Sequence, residues 1–383
     1  MQILMDIVFL AIGFTLLAKG ADFFVDGSSS VARRFKIPQL IIGLTIVAMG
    51  TSLPEAAVSI QAALGGNADI SIGNVVGSNI LNILIILGVS SVVFPLTIQK
   101  STQRIEIPIV IGASAILLAL GFLGAIEWWG GIIFLIAFVG YLTYLFFSAK
   151  KNNEENEGAE INETPIYMSC ILAVIGAIIA ILGQFYKPCD DIYCLVSGTI
   201  LFVGFSAYAI YLAISQKNSR KKSLENKIEI KELPIWKSLV FIAFGMAMII
   251  FGSEFAVESA TSLAKQAGLS DAFIGLTIVA LGTSLPELFT SVAAAFKKNS
   301  DIAIGNIVGS NVFNILFILG ITSIITPINF AHNFLIDTLI SLACAVALLV
   351  LSLKGGKLHR WGGVIMLVLY SIYFVYLYIS QMA

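Results

Sequence analysis

The sequence predicts an all-α integral membrane protein with two inverted five-helix repeats, forming a ten-helix core, plus an inserted two-helix hairpin, giving about 12 transmembrane helices. Three observations lead to this fold. Of the 383 residues, 58% are hydrophobic and only 12% are charged, with a mean hydropathy of +0.95, whereas soluble domains carry about 25% charged residues. Two long segments occur twice in the chain, and the basic residues fall in alternate loops.

The repeat is almost literal. GLTIVAMGTSLPEAAVSI, from Gly43 to Ile60, returns as GLTIVALGTSLPELFTSV, from Gly275 to Val292. DISIGNVVGSNILNILIILG, from Asp69 to Gly88, returns as DIAIGNIVGSNVFNILFILG, from Asp301 to Gly320. Both copies lie at an offset of 232 residues (275 − 43 and 301 − 69). The sequence therefore predicts a first repeat at 1–148, an insert at 149–232 and a second repeat at 233–383.

Apolar runs of about 20 residues predict the membrane crossings. The expected spans are 7–31, 39–64, 71–95, 105–125 and 128–148 in the first repeat, 166–186 and 192–214 in the insert, and 238–262, 271–296, 303–327, 335–353 and 361–380 in the second repeat. An odd number of helices per repeat, separated by an even insert, forces the two repeats into opposite orientations. This inverted arrangement is typical of secondary transporters.

Positive charge predicts how the chain is oriented. With these spans, nearly all lysines and arginines lie on one side, and Lys187 and Lys265 are the exceptions in the loops. The positive-inside rule then places the large polar loops in the cytoplasm and both termini outside, in the plasma membrane. The first apolar segment is expected to be a membrane helix and not a signal peptide. A net charge of −1 offers no basic face for nucleic acid, and no obligate protein partner is evident.

Two glutamates, Glu55 and Glu287, fall in the middle of predicted spans and occupy the same position of the repeat. An acidic residue at the bilayer centre costs about 2.5–3.5 kcal/mol or more, so its default interpretation is functional. Lys19 is the only intramembrane base, and Asp22 at i+3 is its expected partner. Two carboxylates without a basic partner indicate a bound cation.

The neighbours of these glutamates are all oxygen donors. Thr51 and Ser52 precede Glu55 at helical spacing, and Ser78 and Asn82 lie at i and i+4 on the second motif helix. The second repeat has the same residue types at Thr283, Ser284, Ser310 and Asn314. Pro54 and Pro286 lack an N–H and free the carbonyls of Gly50 and Gly282. Oxygen ligands of this kind suit calcium, sodium and magnesium.

Other polar residues of the motifs have structural interpretations. The asparagines of both motif helices are expected to hydrogen-bond between helices, namely Asn74, Asn79, Asn306 and Asn311. Asp69 and Asp301 open their helices and are expected to act as N-caps. Serine and threonine in membrane helices also form hydrogen bonds within or between helices. For each hydroxyl taken alone, the sequence leaves both interpretations open, an ion ligand or a helix contact.

The doubled pattern GTSLPE followed by GNxxGSNxxN resembles the α-repeats of the sodium/calcium exchanger branch of the calcium/cation antiporter superfamily, in a prokaryotic-type form. The resemblance implies a ten-helix exchanger core whose first and sixth helices gate access, with four clustered cation sites and no cofactor. It implies calcium and sodium as transported ions and Glu55 and Glu287 as central carboxylates. The other implied ligands are Thr51, Ser52, Ser78, Asn82, Thr283, Ser284, Ser310 and Asn314, with the carbonyls of Ala48 and Ala280.

The expected function is antiport of calcium against sodium by alternating access, with calcium/proton exchange as the alternative. Proton-coupled relatives usually show further acidic residues in the motif helices, where this chain has asparagine. Potassium-dependent relatives carry aspartate at the position of Asn314, which argues against potassium co-transport. An intramembrane enzyme is disfavoured because no HExxH motif is present. Inverted repeats with broken helices favour alternating access over a channel.

Overall fold

The computed structural model describes residues 2–156, 233–266, 280–330 and 332–382. The chain divides into two compact units, Met1–Phe138 with Trp236–Ala383, and Val139–Ile235. The described residues are helical except for turns and four two-residue strands. The expected insert helices at 166–186 and 192–214, and the first part of the expected span 271–296, lie outside the described residues.

In the first repeat, helices follow one another through short turns. The elements are α1 (Gln2–Arg34), α2 (Gln39–Ile42), a π-helical turn (Gly43–Val47), α3 (Ala48–Thr51), α4 (Leu53–Leu64), α5 (Ala68–Leu81), a π-helical turn (Asn82–Leu87), α6 (Gly88–Val93), β1 (Leu96–Thr97), a π-helical turn (Thr102–Glu106), α7 (Ile107–Gly121), β2 (Ala125–Ile126) and α8 (Trp128–Asn156).

In the second repeat, the described elements follow a similar order, with no π-helical turn before the counterpart of α7. They are α9 (Ile235–Gln266), α10 (Ala280–Thr283), α11 (Leu285–Phe296), α12 (Ser300–Val312), a π-helical turn (Phe313–Ile318), α13 (Leu319–Ile325), β3 (Ile328–Asn329), α14 (His332–Leu353), β4 (Lys357–Leu358) and α15 (Arg360–Met382).

Eight helices in the described residues are long and apolar enough to cross a membrane, or nine if the bent pair Gln39–Thr51 and Leu53–Leu64 is one span. The all-helical, multi-pass prediction is therefore confirmed. Two facts account for the difference from about 12. The insert hairpin and the start of the span before α10 fall in ranges that the structure does not describe, and the span at 39–64 is bent by 48° and is not one straight helix.

The bend in the second span lies at Ser52, between α3 and α4. Ser52 has φ −85° and ψ 9°, outside the helical region, and Ser284 has nearly the same values, −90° and 3°. Pro54 and Pro286 follow within the first two positions of α4 and α11. A proline there lacks the N–H that would continue the helical ladder, so the local sequence itself produces the break.

The interior of the first unit is formed by the two motif helices that follow the breaks. The most apolar stretch of Ile70–Val93 is 78% buried and that of Ser300–Ile325 is 94% buried. The corresponding values for α1 and α9 are only 17% and 28%. The spans with the doubled motif therefore lie at the centre, and α1 and α9 lie at the periphery.

Glycines bring α1 and α9 into backbone contact. A Cβ on Gly20 would lie 2.8 Å from the carbonyl oxygen of Gly245, and a Cβ on Gly13 would lie 2.8 Å from that of Gly252. Only glycine allows so close an approach at these positions, and small residues of this kind stabilise helix pairs in membranes. The two peripheral helices therefore form one closely packed pair.

The four strands join the two repeats. Leu96 of β1 is opposite Leu358 of β4, and Ile126 of β2 is opposite Ile328 of β3, both antiparallel. In the repeat, β3 is the counterpart of β1 and β4 is the counterpart of β2. The pairing of β1 with β4 is therefore equivalent to the pairing of β3 with β2. Each repeat therefore makes the same strand contact with the other.

The structure corrects two predictions about charged residues. Lys297 Nζ lies 3.3 Å from Asp22 Oδ1 and 2.8 Å from Asp26 Oδ1, so Lys297 and not Lys19 pairs with Asp22. The helix α12 begins before Asp301, because the side chain of Asn299 accepts the hydrogen bond from the backbone N of Ile302.

Asp301 lies inside the first turn of α12 and accepts a hydrogen bond from Gln99 at 2.9 Å. Similarly, α5 is preceded by Asn67, so Asp69 lies within the helix. The N-cap prediction for both aspartates was wrong by two residues, because the capping residue precedes the aspartate in the chain.

Candidate cation site

Glu55 and Glu287 lie in the first turns of α4 and α11, immediately after the two breaks. Both side chains are fully buried. The start of a helix carries unsatisfied N–H groups and a partial positive charge, which favours a carboxylate there. The broken spans thus create two positions at which an acidic side chain is tolerated inside the protein.

The two breaks contact one another through their serines. Ser52 Oγ donates to Glu287 Oε1 at 2.7 Å, and Ser284 Oγ donates to Glu55 Oε1 at 3.3 Å. Each serine therefore binds the glutamate of the other repeat. The second oxygen of each carboxylate, Oε2, is buried without a hydrogen-bond partner.

Two asparagines of the motif helices repeat this pattern. Asn82 Nδ2 donates to Asn311 Oδ1 at 3.0 Å, and Asn314 Nδ2 donates to Asn79 Oδ1 at 3.1 Å. Both Asn82 and Asn314 are fully buried. Their Oδ1 atoms have no hydrogen-bond partner. In each amide, the N–H group is engaged and the oxygen remains available.

Four buried acceptor atoms therefore need an electropositive partner, from Glu55, Glu287, Asn82 and Asn314. The helix α11 packs against the π-helical turn that begins at Asn82, and α4 packs against the π-helical turn Phe313–Ile318. Buried polar atoms are almost always paired, and acceptors cannot pair with each other. Carboxylate and amide oxygens are the ligands that hard cations such as calcium and sodium prefer. The donor set thus fits a small hard cation.

Three more of the predicted ligands lie at this site. Ser78 Oγ is 3.4 Å from Ser284 Oγ, which also contacts the carboxylate of Glu55. Ser310 Oγ donates to the carbonyl oxygen of Ala48 at 3.3 Å, so two of the predicted ligand oxygens contact each other. Residues of both repeats thus contribute to one cluster.

The threonines differ between the repeats. Thr51 Oγ1 lies 3.1 Å from the carbonyl oxygen of Val47 and 3.1 Å from Asn306 Oδ1, so its hydroxyl is engaged by helix contacts. Thr283 Oγ1 is buried and has no partner. Ala280 is the first residue of α10, three residues before Thr283. Thr51 therefore donates its hydroxyl hydrogen within the protein and keeps oxygen lone pairs for a cation, whereas the hydroxyl of Thr283 has no partner at all.

The remaining asparagines support the glutamate helices, as predicted. Asn74 Nδ2 donates to the carbonyl oxygen of Glu55 at 3.2 Å and to Ser59 Oγ at 2.9 Å. Asn306 makes the equivalent bonds to Glu287 and Ser291. The two serines were not singled out from the sequence, although their identity at equivalent repeat positions was a usable signal.

The helices at the candidate site depart from regular α geometry next to Asn82 and Asn314. One π-helical turn begins at Asn82, and another begins at Phe313, just before Asn314. Such turns often mark functional sites. The backbone also packs closely here, because a Cβ on Gly309 would lie 2.6 Å from the carbonyl oxygen of Leu44. Gly309 of α12 therefore packs against the first repeat at Leu44 and Ala48, which brings the predicted ligand residues of both repeats close together.

This multi-pass fold, with oxygen donors buried between two repeats, is that of an ion-transport protein. The sequence model of the family described as "Sodium/calcium exchanger protein" matches residues 5–147 and 237–379. The chain belongs to this family of transporters and is a membrane cation antiporter.

Individual relatives agree with this assignment. The chain is 34% identical over 355 residues to a putative antiporter, CaxA, of Alkalimonas amylolytica, covering 92% of this chain and 91% of the relative. It is 29% identical over 394 residues to the sodium/calcium exchanger MaX1 of Methanosarcina acetivorans, covering 98% and 99%. A solved structure of the sodium-calcium exchanger NCX_Mj is similar with a TM-score of 0.70 and 27% identity, covering 98% of this chain and 99% of that chain.

Proposed function

We propose that this antiporter exchanges calcium for sodium, and that Glu55 and Glu287 are the central ion ligands. The observation that carries the proposal is the set of four buried oxygens without a hydrogen-bond partner, two from carboxylates and two from amides, on helices of the two repeats that pack against each other. The ligands added by the resemblance, at Thr51, Ser52, Ser78, Thr283, Ser284, Ser310, Ala48 and Ala280, complete the proposed site. Similarity to exchangers named for sodium and calcium supports the same ions here.

Charge explains how two ions would be coupled. With both carboxylates ionised, the site carries a charge near −2, which one calcium or two sodium ions would neutralise. Moving an uncompensated charge through the low-dielectric centre is costly. The loaded site would therefore change its access side, whereas the site without cations would resist the change. Coupling between the two ions follows from that difference.

The proposed topology has two inverted repeats and two further helices within 149–232. The strand contacts support the inversion. Strands β1 and β2 lie at opposite ends of α7, and β1 pairs with β4 whereas β2 pairs with β3. The span that ends at β1 therefore ends on the opposite face from its repeat counterpart, which ends at β3. Together with the distribution of lysine and arginine, this supports both termini outside the plasma membrane.

Transport into proteoliposomes tests the function. Purified protein is reconstituted into vesicles loaded with sodium, potassium or acid and diluted into choline buffer with radiolabelled calcium. The proposal expects calcium uptake that requires internal sodium and is unaffected by potassium. Uptake driven by the acid interior would instead establish calcium/proton exchange. The absence of uptake under every gradient would overturn calcium as the substrate.

A further inference from the structure

Asn79 and Asn311 form a closed set of hydrogen bonds across the two repeats. Asn79 Nδ2 donates to the backbone oxygen of Asn311 at 3.3 Å, and Asn311 Nδ2 donates to the backbone oxygen of Asn79 at 3.4 Å. Their side-chain oxygens accept from Asn314 and Asn82, respectively. Both side chains are buried, with 1% exposure.

The backbone carbonyls fix the direction of every amide in this set. A carbonyl oxygen only accepts, so it selects the N–H end of Asn79 or Asn311. The oxygen of that amide is then directed to the N–H group of Asn314 or Asn82, and the oxygen of Asn314 or Asn82 is left for the site. Reversing any one amide would place two donors or two acceptors against each other.

We infer that Asn79 and Asn311 are positioning residues that force Asn314 and Asn82 to present oxygen, and never N–H, to the transported cation. This inference rests on the proposed function of the site. Without the acceptor on Asn79, the N–H group of Asn314 becomes a buried donor with no partner. Rotation of its amide would put that donor where the partnerless oxygen now lies, so the site would present an N–H group that repels a cation.

The inference predicts coupling between two substitutions. Asn79→Leu removes the acceptor that holds the amide of Asn314. Loss of a group that orients a metal ligand typically lowers affinity by about 10–100-fold, and we expect a loss of this size for calcium. Asn314→Asp replaces the ligand amide by a carboxylate, which has oxygen at both positions and needs no orientation. In that background the oxygen of Asn79 faces a second acceptor, so Asn79→Leu should leave calcium affinity unchanged or raise it.

The experiment is calcium titration calorimetry on the purified full chain and its variants in sodium-free detergent buffer, with size-exclusion chromatography to verify folding. The matched control is Asn74→Leu, since Asn74 bonds to Glu55 and Ser59 and not to a ligand amide. Its effect should be the same with asparagine or aspartate at position 314. If Asn79→Leu does not fold, Asn79→Ser and the mirror pair Asn311→Leu with Asn82→Asp make the same comparison.

Equal losses from Asn79→Leu in both backgrounds would overturn the positioning role, because packing alone would then explain the effect. The unmodified chain distinguishes this failure from that of the proposed function. If the unmodified chain binds no calcium, the proposed function itself is overturned. If it binds calcium and the losses are additive, only the role of Asn79 and Asn311 is overturned.

Discussion

Ser52 of the first repeat donates a hydrogen bond of 2.7 Å to Glu287 of the second. The reciprocal contact, from Ser284 to Glu55, is 3.3 Å long. The two carboxylates are therefore held by serines of the opposite repeat, and neither repeat forms the site alone. The unequal lengths show that the two halves are similar and not identical in detail.

Removing either serine should weaken cation binding. Each serine orients a carboxylate and is itself a proposed ligand, and loss of a group that orients a metal ligand lowers affinity by about 10–100-fold. Ser52→Ala should therefore lower calcium affinity by about tenfold or more, and Ser284→Ala by less because its bond is longer. Calcium titration of both variants measures the difference. Ser323→Ala is the control, because Ser323 bonds only within its own helix, to Leu319 and Gly320. An equal loss in the control would contradict a specific role for the two serines.

Neutralising either central carboxylate should abolish calcium transport. Glu55→Gln and Glu287→Gln each leave a site with one negative charge, which calcium overcompensates. The new amide also directs an N–H group towards the ion. Radiolabelled calcium uptake driven by sodium should fall to the level of empty vesicles in both variants. The exposed Glu254 provides the control, and Glu254→Gln should retain uptake. Near-normal exchange in either central variant would show that the carboxylate is not an ion ligand.

The close contact between α1 and α9 predicts that Gly20→Ala lowers the stability of the protein, whereas the same substitution at an open position raises it. Gly20→Ala places a methyl group 2.8 Å from the backbone of Gly245, and overpacking of this kind costs about 1–3 kcal/mol. Gly112→Ala meets nothing within 4 Å on α7 and should stabilise by about 0.5–1 kcal/mol, since alanine is the better helix former. Thermal unfolding in detergent should show a lower Tm for the first variant. Equal shifts in both variants would argue against close helix packing.

The ion pairs of Lys297 predict a small, salt-dependent contribution to stability. Lys297 contacts both Asp22 and Asp26, but all three side chains are partly exposed. Such pairs contribute about 0.2–1 kcal/mol, so Lys297→Gln should lower Tm slightly in dilute buffer and hardly at all in about 1 M salt. The neighbouring, exposed Lys298 is the control. A loss that persists in high salt would indicate packing and not charge.

Much of the architecture follows from the sequence because it is written twice. The repeat identifies Glu55 and Glu287 as equivalent, and apolar length identifies most spans. The prolines also predict the breaks at Ser52 and Ser284, since the missing N–H is a local property of the chain. These features depend on residue type and spacing, and the structure agrees with them.

Other features depend on three-dimensional contacts that spacing does not determine. The sequence does not reveal that Asn82 turns its N–H group to Asn311, because the two residues come from different repeats. It also suggests Lys19 as the ion-pair partner of Asp22, because residues three apart are visible as neighbours in a sequence. The actual partner, Lys297, is remote in the chain. The differing surroundings of Thr51 and Thr283 are likewise hidden by their identical motifs.

The length of the peripheral helices has a consequence for the surrounding lipid. The helix α1 has 33 residues and α9 has 32, so each is about 50 Å long at about 1.5 Å per residue. The hydrocarbon layer is only about 30 Å thick. The glycine-packed pair must therefore tilt or extend past the acyl chains, and a thicker or thinner bilayer changes the free energy of each tilt. Acyl-chain length is thus a variable that acts directly on these two helices, from outside the ion site.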